Sequence, residues 1–235
     1  MKKKVLVISH ERSGTHFLIN TIAQSFDYQP EQIDLDNSQN IDWKNTAMVK
    51  QWMWQFHAGY TSRIFKSHHS YPFLAPLFPW LHDEFHIFYI TRDGRDVMTS
   101  FWVYLNRLAP GWGPRTATVG EFMRSKPTGG ITQYQYDRDS GSMLERWTDH
   151  IQSWQTPASR VNHISYEDLH TRFDVTLKRI SDVLGQPANS SVRPELSAPS
   201  SLPWKGAIGT WREYFTEADS QYFDRHVHNT THQEW

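Results

Sequence analysis

Apolar residues along the chain follow two kinds of pattern. Short runs rich in β-branched residues are typical of buried strands, and longer stretches with apolar residues at every third or fourth position are typical of amphipathic helices. The runs predict strands at residues 5–8, 63–66, 85–91 and 161–165. The longer stretches predict helices at residues 17–26, 45–57, 97–108, 143–154, 174–184 and 217–228. This alternation indicates an α/β fold with a mainly parallel central sheet and helices on both faces, in one domain over residues 1–235.

Three segments lack either pattern. Residues 27–45 are polar and are predicted to be loop. Residues 71–81 contain three prolines, which favour an irregular connection or short helical turns. Residues 109–142 are rich in glycine and proline, and so long a loop inside a compact domain is usually functional. We therefore predict a lid or acceptor-binding loop at 109–142.

The loop after the first predicted strand has the composition of an anion-binding site. Residues 9–14 join a buried strand to the start of a helix, and the first N–H groups of a helix have no partner inside it. The positive end of the helix dipole points the same way. Arg12 adds a permanent charge and a forked set of donors suited to phosphate or sulfate. The sequence therefore predicts a P-loop-type domain in which this loop holds a phosphate-like group.

The loop differs from the Walker A loop of ATP-binding proteins. That motif requires a lysine directly after its last glycine, whereas Gly14 is followed by Thr15. A P-loop-type nucleoside or small-molecule kinase stays an alternative, but this chain lacks the lysine with which such an enzyme reaches the γ-phosphate.

Five segments, in order along the chain, resemble the motifs of the sulfotransferase family that uses 3′-phosphoadenosine 5′-phosphosulfate (PAPS). Residues 11–17 (ERSGTHF) resemble the family's P-K-S-G-T-T-W loop, with arginine for lysine and phenylalanine for tryptophan. The resemblance extends from about residue 5 to about residue 230. The other four segments are Lys66-Ser67-His68, the pair Arg92 and Ser100 at the family's separation, Tyr166-Glu167-Asp168-Leu169, and Lys205-Gly206 followed by Gly209 and Trp211.

The resemblance implies a binding site for PAPS, whose product is 3′,5′-adenosine bisphosphate (PAP). Trp204 and Thr210 stand where the family has Arg and Asp, so one phosphate contact is lost and weaker nucleotide binding is expected. The nucleotide-binding residues implied by the motifs are Arg12, Ser13, Gly14, Thr15, His16 and Phe17 in the first loop and helix, Arg92 and Ser100 at the 3′-phosphate, Tyr166 at the adenine, and Lys205 and Gly206 in the segment that closes over the 3′-phosphate.

The resemblance also implies transfer of the sulfonate group to a hydroxyl or amine. In that reaction His68 is the general base, Lys66 lies against the transferring sulfonate, and Arg12 stabilises the leaving phosphate without a metal ion. Residues two apart on an extended strand point to the same side, so Lys66 and His68 are expected to face the site together. Either of two neighbouring histidines suits proton removal, and the register with Lys66 favours His68 over His69.

The sequence does not distinguish between a small molecule, a glycan and a lipid as the acceptor. Tyr104, on the third predicted helix, is expected to line its pocket. A non-catalytic nucleotide-binding protein of the same fold is a further alternative, but the retained His68 argues against it because binding alone needs no base. A metal site at His226, His228 and His232 is a weak alternative, since histidines near the end of a chain are usually solvated.

The composition narrows the possible partners. The net charge of −1 gives no general attraction to nucleic acid or acidic lipid, and the lack of cysteine excludes disulfides and thiolate metal sites. Residues 1–4 (MKKK) precede an apolar stretch of about five residues, too short for a signal peptide or a membrane span. We therefore expect a cytoplasmic protein with no transmembrane segment and no nucleic-acid partner. The oligomeric state is open, because residues 212–221 match the family's dimer motif only in part.

Overall fold

Five parallel strands form one sheet in the order β2–β3–β1–β4–β5. The computed structural model describes residues 3–29, 32–34, 45–55, 62–107, 111–134, 140–195 and 206–228. The strands are β1 (Lys4–Ile8), β2 (Gln32–Asp34), β3 (Ile64–Ser67), β4 (Phe85–Thr91) and β5 (Asn162–Ser165).

Strand β1 lies at the centre of the sheet, where every one of its residues is buried. Leu6 lies opposite Phe65 of β3 on one side and Ile87 of β4 on the other. The register places Ile8 beside Ser67 and Tyr89, so the carboxyl ends of β1, β3 and β4 meet at one edge. Ligands of open parallel sheets bind at this edge, which is where the loop at residues 9–14 begins.

Helices cover the sheet and connect its strands. Short 3₁₀ turns follow α3 and precede β5 and α10, and another lies between α6 and α7. The helices of the described residues are α1 (Thr15–Phe26), α2 (Thr46–Gln55), α3 (Tyr71–Leu74), α4 (Phe78–Glu84), α5 (Gly94–Arg107), α6 (Val119–Arg124), α7 (Met143–Trp154), α8 (Tyr166–Thr171), α9 (Phe173–Leu184) and α10 (Glu217–His228).

Alternate side chains of β1 point into two different hydrophobic cores. Val5 and Val7 pack with residues of α1, α8 and α9, whereas Leu6 and Ile8 pack with residues of α5, α6 and α7. Burying one such side chain stabilises the fold by roughly 1.5–3 kcal/mol. Because apolar residues cover both faces, the prediction of a parallel sheet with helices on both faces is confirmed. Within the described residues, none of the helices has the length and apolar composition needed to cross a bilayer.

The prediction of loop throughout residues 27–45 is wrong at Gln32–Asp34, which form β2. This edge strand has only three residues, and it forms because they pair with Ile64, Phe65 and Lys66 of β3. Strand β2 has no apolar run of its own, because its stability comes from pairing with β3, which is distant in the chain. Helix α8 also went unpredicted, and α5 begins at Gly94, three residues earlier than predicted.

The segment at residues 109–142 is more regular than its composition indicates. Thr118 and Glu121 form a capping box that starts α6, and Val119, Phe122 and Met123 of this helix are buried in the core. The prediction of irregular structure is therefore wrong at residues 119–124. A lid role for the segment stays a prediction, and residues 109–110 and 135–139 lie outside the described residues. The short helical turns predicted at residues 71–81 are found as α3, a 3₁₀ turn and α4.

Candidate active site

The loop between β1 and α1 turns through two left-handed residues. Arg12 has φ 66° and Gly14 has φ 95°, and Gly14 is the N-cap residue of α1. A Cβ atom at Gly14 would overlap the Tyr166 ring, so only glycine fits both this backbone and this neighbour. Because glycine has no side chain to cap the helix, the first turn of α1 is suited to an anion.

The structure brings Arg12, Arg92 and Ser100 together from three different elements. Arg12 Nε donates a hydrogen bond to Ser100 Oγ at 3.1 Å, and Arg92 Nη1 donates to the Arg12 carbonyl at 3.3 Å. The Arg12 guanidinium also lies 4.8 Å from the ring centre of Tyr104, the residue predicted to line the acceptor pocket. Burial lowers the pKa of Arg12, but a guanidinium remains a cation at neutral pH.

Arg92 also contacts the adenine-site tyrosine and the segment at residues 206–211. Its guanidinium lies 4.5 Å from the Tyr166 ring centre, and its Nη2 donates to the Ala207 carbonyl at 3.0 Å. The Tyr166 hydroxyl donates to the Gly206 carbonyl at 2.5 Å. Gly206 is therefore beside the predicted nucleotide residues, whereas Lys205 and Trp204 lie outside the described residues.

Asp96 ties the segment at residues 206–211 to the start of α5. Its side chain is fully buried and accepts hydrogen bonds from the Gly209 and Trp211 N–H groups and from Thr210 Oγ1, at 2.6, 3.0 and 3.0 Å. The family's motif has an aspartate at the position of Thr210, and its carboxylate would be repelled by the Asp96 carboxylate. The Thr210 hydroxyl donates a hydrogen bond to Asp96 instead. Asp96 also lies 3.9 Å from Arg92, which makes that arginine part of the same network.

The hydrogen bonds of His68 fix which of its nitrogens carries the proton. His68 Nδ1 lies 2.9 Å from the Ser9 carbonyl oxygen, which can only accept, so Nδ1 is the protonated nitrogen of the neutral ring. The lone pair then belongs to Nε2. The Ser9 side chain also forms a hydrogen bond, between its Oγ and Thr15 Oγ1 at 2.6 Å. His68 and Lys66 are both buried, at 8% and 7% exposure, at the carboxyl end of β3.

The neighbouring histidines have different surroundings. His69 stacks on Phe73 with ring centres 3.8 Å apart, and its carbonyl accepts a hydrogen bond from Trp154 Nε1, so both its ring and its backbone are held by the core. Burial lowers the pKa of His16 to about 4, and Lys66, His68 and Arg12 act in the same direction. His16 is therefore neutral at pH 7 despite lying among cations.

A buried ion pair holds the loop to α7. Arg146 Nη2 donates to Glu11 Oε1 at 2.5 Å, and Arg146 Nη1 contacts His10 Nε2 at 2.7 Å. Since Arg146 only donates, His10 Nε2 accepts, and Nδ1 donates to the Glu11 carbonyl at 2.9 Å. Burial lowers the pKa of His10 to about 3. Burial raises the pKa of Glu11, but Arg146, His10 and His68 outweigh it and hold that pKa below its usual range.

His150 of α7 extends this polar cluster. Its Nδ1 lies 3.1 Å from the Tyr89 hydroxyl, its ring packs edge-on against His10, and burial lowers its pKa well below the ordinary value. The apolar spacing at residues 143–154 predicts a helix with one buried face, and Trp147 and Trp154 are buried, but the spacing gives no role to Arg146 or His150. The one available signal was a charged residue on the apolar face of a helix.

The described residues contain no cluster of three His, Asp or Glu side chains that could hold a metal ion. His226 donates its Nδ1 hydrogen to the Tyr222 carbonyl at 2.9 Å, an interaction within α10. His232, the third member of the weak metal-site alternative, lies outside the described residues.

A family model for the sulfotransferase domain matches residues 2–203. The chain belongs to the sulfotransferase family. Among curated relatives, human sulfotransferase 2B1 is 25% identical over 251 residues, an alignment that covers 94% of this chain and 64% of the relative. Human sulfotransferase 1C2 is 21% identical, with 69% of this chain and 59% of the relative covered. The chain therefore spans less than two thirds of the length of these two sulfotransferases.

Two solved structures have the same fold as this chain. Mouse sulfotransferase SULT7A1 complexed with PAP gives a TM-score of 0.71 at 21% identity, over 100% of this chain and 86% of that chain. Retinol dehydratase in a complex with retinol and PAP gives 0.65 at 16% identity, over 100% and 83%. The sequence-based assignment to the sulfotransferase family and its fold is thus confirmed.

Proposed function

We propose that the protein transfers the sulfonate group of PAPS to a hydroxyl or amine of an acceptor. The observation that carries this proposal is the meeting of Arg12, Arg92, Ser100 and Tyr166 at one edge of the sheet, beside the oriented imidazole of His68. Membership of the sulfotransferase family and the PAP complexes of two similar folds support it.

Unsatisfied polar atoms in the site fit a phosphorylated nucleotide. Ser13 Oγ and Arg92 Nε are buried and make no hydrogen bond within the described residues, which is costly unless a ligand supplies the partner. In the proposed site Ser13 and the first turn of α1 bind the 5′-phosphosulfate, Arg92 and Ser100 bind the 3′-phosphate, and Tyr166 with Phe17 lies against the adenine. Lys205 and Gly206 complete the proposed site, as the resemblance to the family's closing segment implies.

His68 removes the acceptor's proton in this proposal. Its Nε2 takes the proton from the hydroxyl or amine while the acceptor atom bonds to sulfur, and the sulfur–oxygen bond to the phosphate breaks. Ser9 holds the opposite nitrogen, Nδ1, through its carbonyl oxygen, so the ring presents the basic nitrogen. The imidazolium that forms keeps the same Nδ1 hydrogen bond.

Fixed cations stabilise the charge that develops during transfer. Lys66 lies against the sulfonate oxygens, and Arg12 stabilises the phosphate that leaves with its negative charge. Arg12 does not release a proton at neutral pH, so the phosphate departs as an anion. With these cations in place the proposed reaction needs no metal ion.

The role of His68 is testable with two neighbouring substitutions. We expect His68→Ala to lower transfer of label from radiolabelled PAPS to a panel of hydroxyl and amine acceptors by at least about a hundredfold, because a general base is lost. The affinity for PAP, measured by calorimetry, should stay within about twofold of the wild type. His69→Gln, next in the chain, is the matched control and should retain transfer. Turnover of His68→Ala near the wild-type rate would reject the role.

A further inference from the structure

Glu11 follows the loop residue that orients His68, at the position where the family's P-K-S-G-T-T-W loop has its proline. Two hydrogen bonds tie this part of the loop to the end of β3. The Ser9 N–H donates to the Ser67 carbonyl at 3.2 Å, and His68 Nδ1 donates to the Ser9 carbonyl at 2.9 Å. Because Glu11 is only two residues after Ser9, the loop brings a carboxylate close to the imidazole.

The two carboxylate oxygens of Glu11 have different surroundings. Oε1 accepts a hydrogen bond from Arg146 Nη2 at 2.5 Å, whereas Oε2 is buried and forms no hydrogen bond within the described residues. Oε2 lies 3.5 Å from His10 Nε2, which is itself an acceptor because it binds the Arg146 guanidinium. Little water screens a buried oxygen of this kind, so its negative charge acts strongly on nearby groups.

The charges of Glu11 and His68 act on each other. Burial raises the pKa of Glu11, but Arg146, His10 and His68 outweigh burial and lower it. An electrostatic interaction is mutual, so the Glu11 carboxylate also favours the charged form of His68. Arg146 does not cancel this effect: burial lowers the pKa of His10 and of His150, and at both rings the opposing effect of Glu11 is larger than the effect of Arg146.

Glu11 is the acid among the described charged and titratable groups around His68. Burial lowers the pKa of the three other histidines of this set, so they are neutral at pH 7. A proton that His68 takes up therefore adds a charge among fixed cations and one carboxylate. The set consists of His10, Glu11 and Arg12 in the loop, His16 in α1, Lys66 in β3, and Arg146 and His150 in α7.

We propose that the Glu11 carboxylate stabilises the imidazolium that His68 becomes when its Nε2 accepts the proton of the acceptor. Lys66 and Arg12 repel this new positive charge, and a buried anion offsets the repulsion. Glu11 acts through His68 and does not itself touch the acceptor. The inference rests on the proposed function, because it requires His68 to take a proton during sulfonate transfer.

Titration of the His68 ring, followed by NMR with PAP present, tests the inference without an acceptor. The His68 signal is assigned by its loss in His68→Ala. Glu11→Gln keeps an oxygen for Arg146 but removes the charge, so we expect the titration midpoint of His68 to move to lower pH. Glu11→Asp keeps the charge and should stay closer to the wild type. Asp182→Asn removes an exposed carboxylate of α9 that pairs with Lys178, and this matched control should leave the midpoint unchanged.

The pH dependence of sulfonate transfer gives a second measurement, made with the hydroxyl acceptor that reacts fastest in the panel. We expect Glu11→Gln to lower kcat by about fivefold near pH 7, because a weaker base removes the proton less readily. The acidic limb of the pH profile should move to lower pH. The KM for PAPS should stay within about twofold of the wild type, since Glu11 does not touch the nucleotide.

The outcomes separate this inference from the proposed function. A His68 midpoint that is the same in Glu11→Gln and in the wild type overturns the inference alone, as do equal shifts in Glu11→Gln and Glu11→Asp, which indicate a packing effect. If Glu11→Gln does not fold, the double variant Glu11→Leu/Arg146→Met takes its place, and a midpoint at or above that of the wild type overturns the inference. Wild-type protein that transfers no sulfonate to any acceptor of the panel overturns both.

Discussion

At the scale of single residues, the Glu11–Arg146 ion pair gives the loop its fixed position. Removing two charges from water is costly, and the cost is offset only when the geometry is good and further hydrogen bonds form. Here Arg146 contacts both Glu11 and His10, so two consecutive loop residues are held by one side chain of α7. The arrangement fixes the backbone directly before Arg12 and directly after Ser9, the residue that orients His68.

Arg146→Met should therefore be strongly destabilising. It leaves the buried Glu11 carboxylate without its partner, and we expect the free energy of unfolding to fall by about 3–5 kcal/mol. Adding Glu11→Leu should restore part of the loss, because the remaining buried charge is removed, and this double variant stays measurable if the single one does not fold. Arg172→Met, which breaks the exposed pair with Asp168, should cost less than about 1 kcal/mol. Urea denaturation measures all four proteins, and a loss below about 1 kcal/mol for Arg146→Met would contradict the account.

Some residues of the site could be predicted from the sequence and others could not. The predictable ones are marked by the pattern of neighbouring residues in the chain, whereas the others depend on contacts with distant segments. Arg12, His68 and Arg92 lie within four residues after the ends of predicted strands. The carboxyl ends of parallel strands meet at one edge of a sheet, so the proximity of these residues follows from the fold class. Arg146 and Glu11 are separated by 135 residues. The sequence predicts only an amphipathic helix around Arg146, and the packing of α7 on the loop brings the two charges together.

At the scale of elements, Asp96 joins the segment at residues 206–211 to α5, and this connection predicts a test. Asp96→Asn keeps one acceptor oxygen but turns an amide N–H₂ toward the donors of residues 209–211. We expect PAP binding to weaken by about tenfold and the free energy of unfolding to fall by about 1–3 kcal/mol, because donors lose their partner.

Thr210→Val is the matched control for this element. It removes one of the three hydrogen bonds to Asp96 and leaves the two from backbone N–H groups, so its effects on calorimetric PAP binding and on urea unfolding should be smaller. Asp96→Asn with wild-type affinity for PAP would show that the position of this segment does not depend on Asp96.

Elements with strong local patterns were predictable, and elements formed by distant partners were not. Strands β1 and β4 are apolar runs buried on both faces, and α7 and α9 have regular apolar spacing, so their existence follows from the sequence. Strand β2 has three residues and depends on pairing with β3. Helix α6 is only six residues long and lies among glycines and prolines, so a short capping box was its main local signal.

At the scale of the whole molecule, a nearly neutral chain encloses a cationic cleft and several neutral histidines. The net charge is −1, so in the proposed function the attraction for an anionic nucleotide comes from the local placement of Arg12, Lys66 and Arg92 rather than from the overall field. Burial also keeps the pKa of His10 at about 3 and of His16 and His163 at about 4, with that of His150 well below its ordinary value.

These buried histidines predict how stability depends on pH. An unfolded histidine takes up a proton near pH 6.5, whereas the folded protein resists it until the pH approaches 4 or 3. The unfolded state therefore binds more protons between pH 6.5 and 4, so stability is highest above this window and falls as the pH falls through it. Each such group contributes a slope of roughly 1.4 kcal/mol per pH unit.

His10→Asn removes one of these groups, so the slope of the unfolding free energy between pH 6 and 4 should decrease by about 1.4 kcal/mol per pH unit. Denaturant unfolding at several pH values measures it. An unchanged slope in the variant would show that His10 takes up its proton equally in the folded and unfolded states.

The proposed function requires the protein to recognise two phosphate groups at one edge of the sheet. Calorimetric titration of the wild-type protein with PAP, 5′-AMP and ATP–Mg²⁺ tests it most directly. We predict that PAP binds at least about tenfold more tightly than 5′-AMP, because only PAP offers a 3′-phosphate for charge-assisted hydrogen bonds from Arg92. Equal affinities for PAP and 5′-AMP, or a preference for ATP–Mg²⁺, would contradict the assignment.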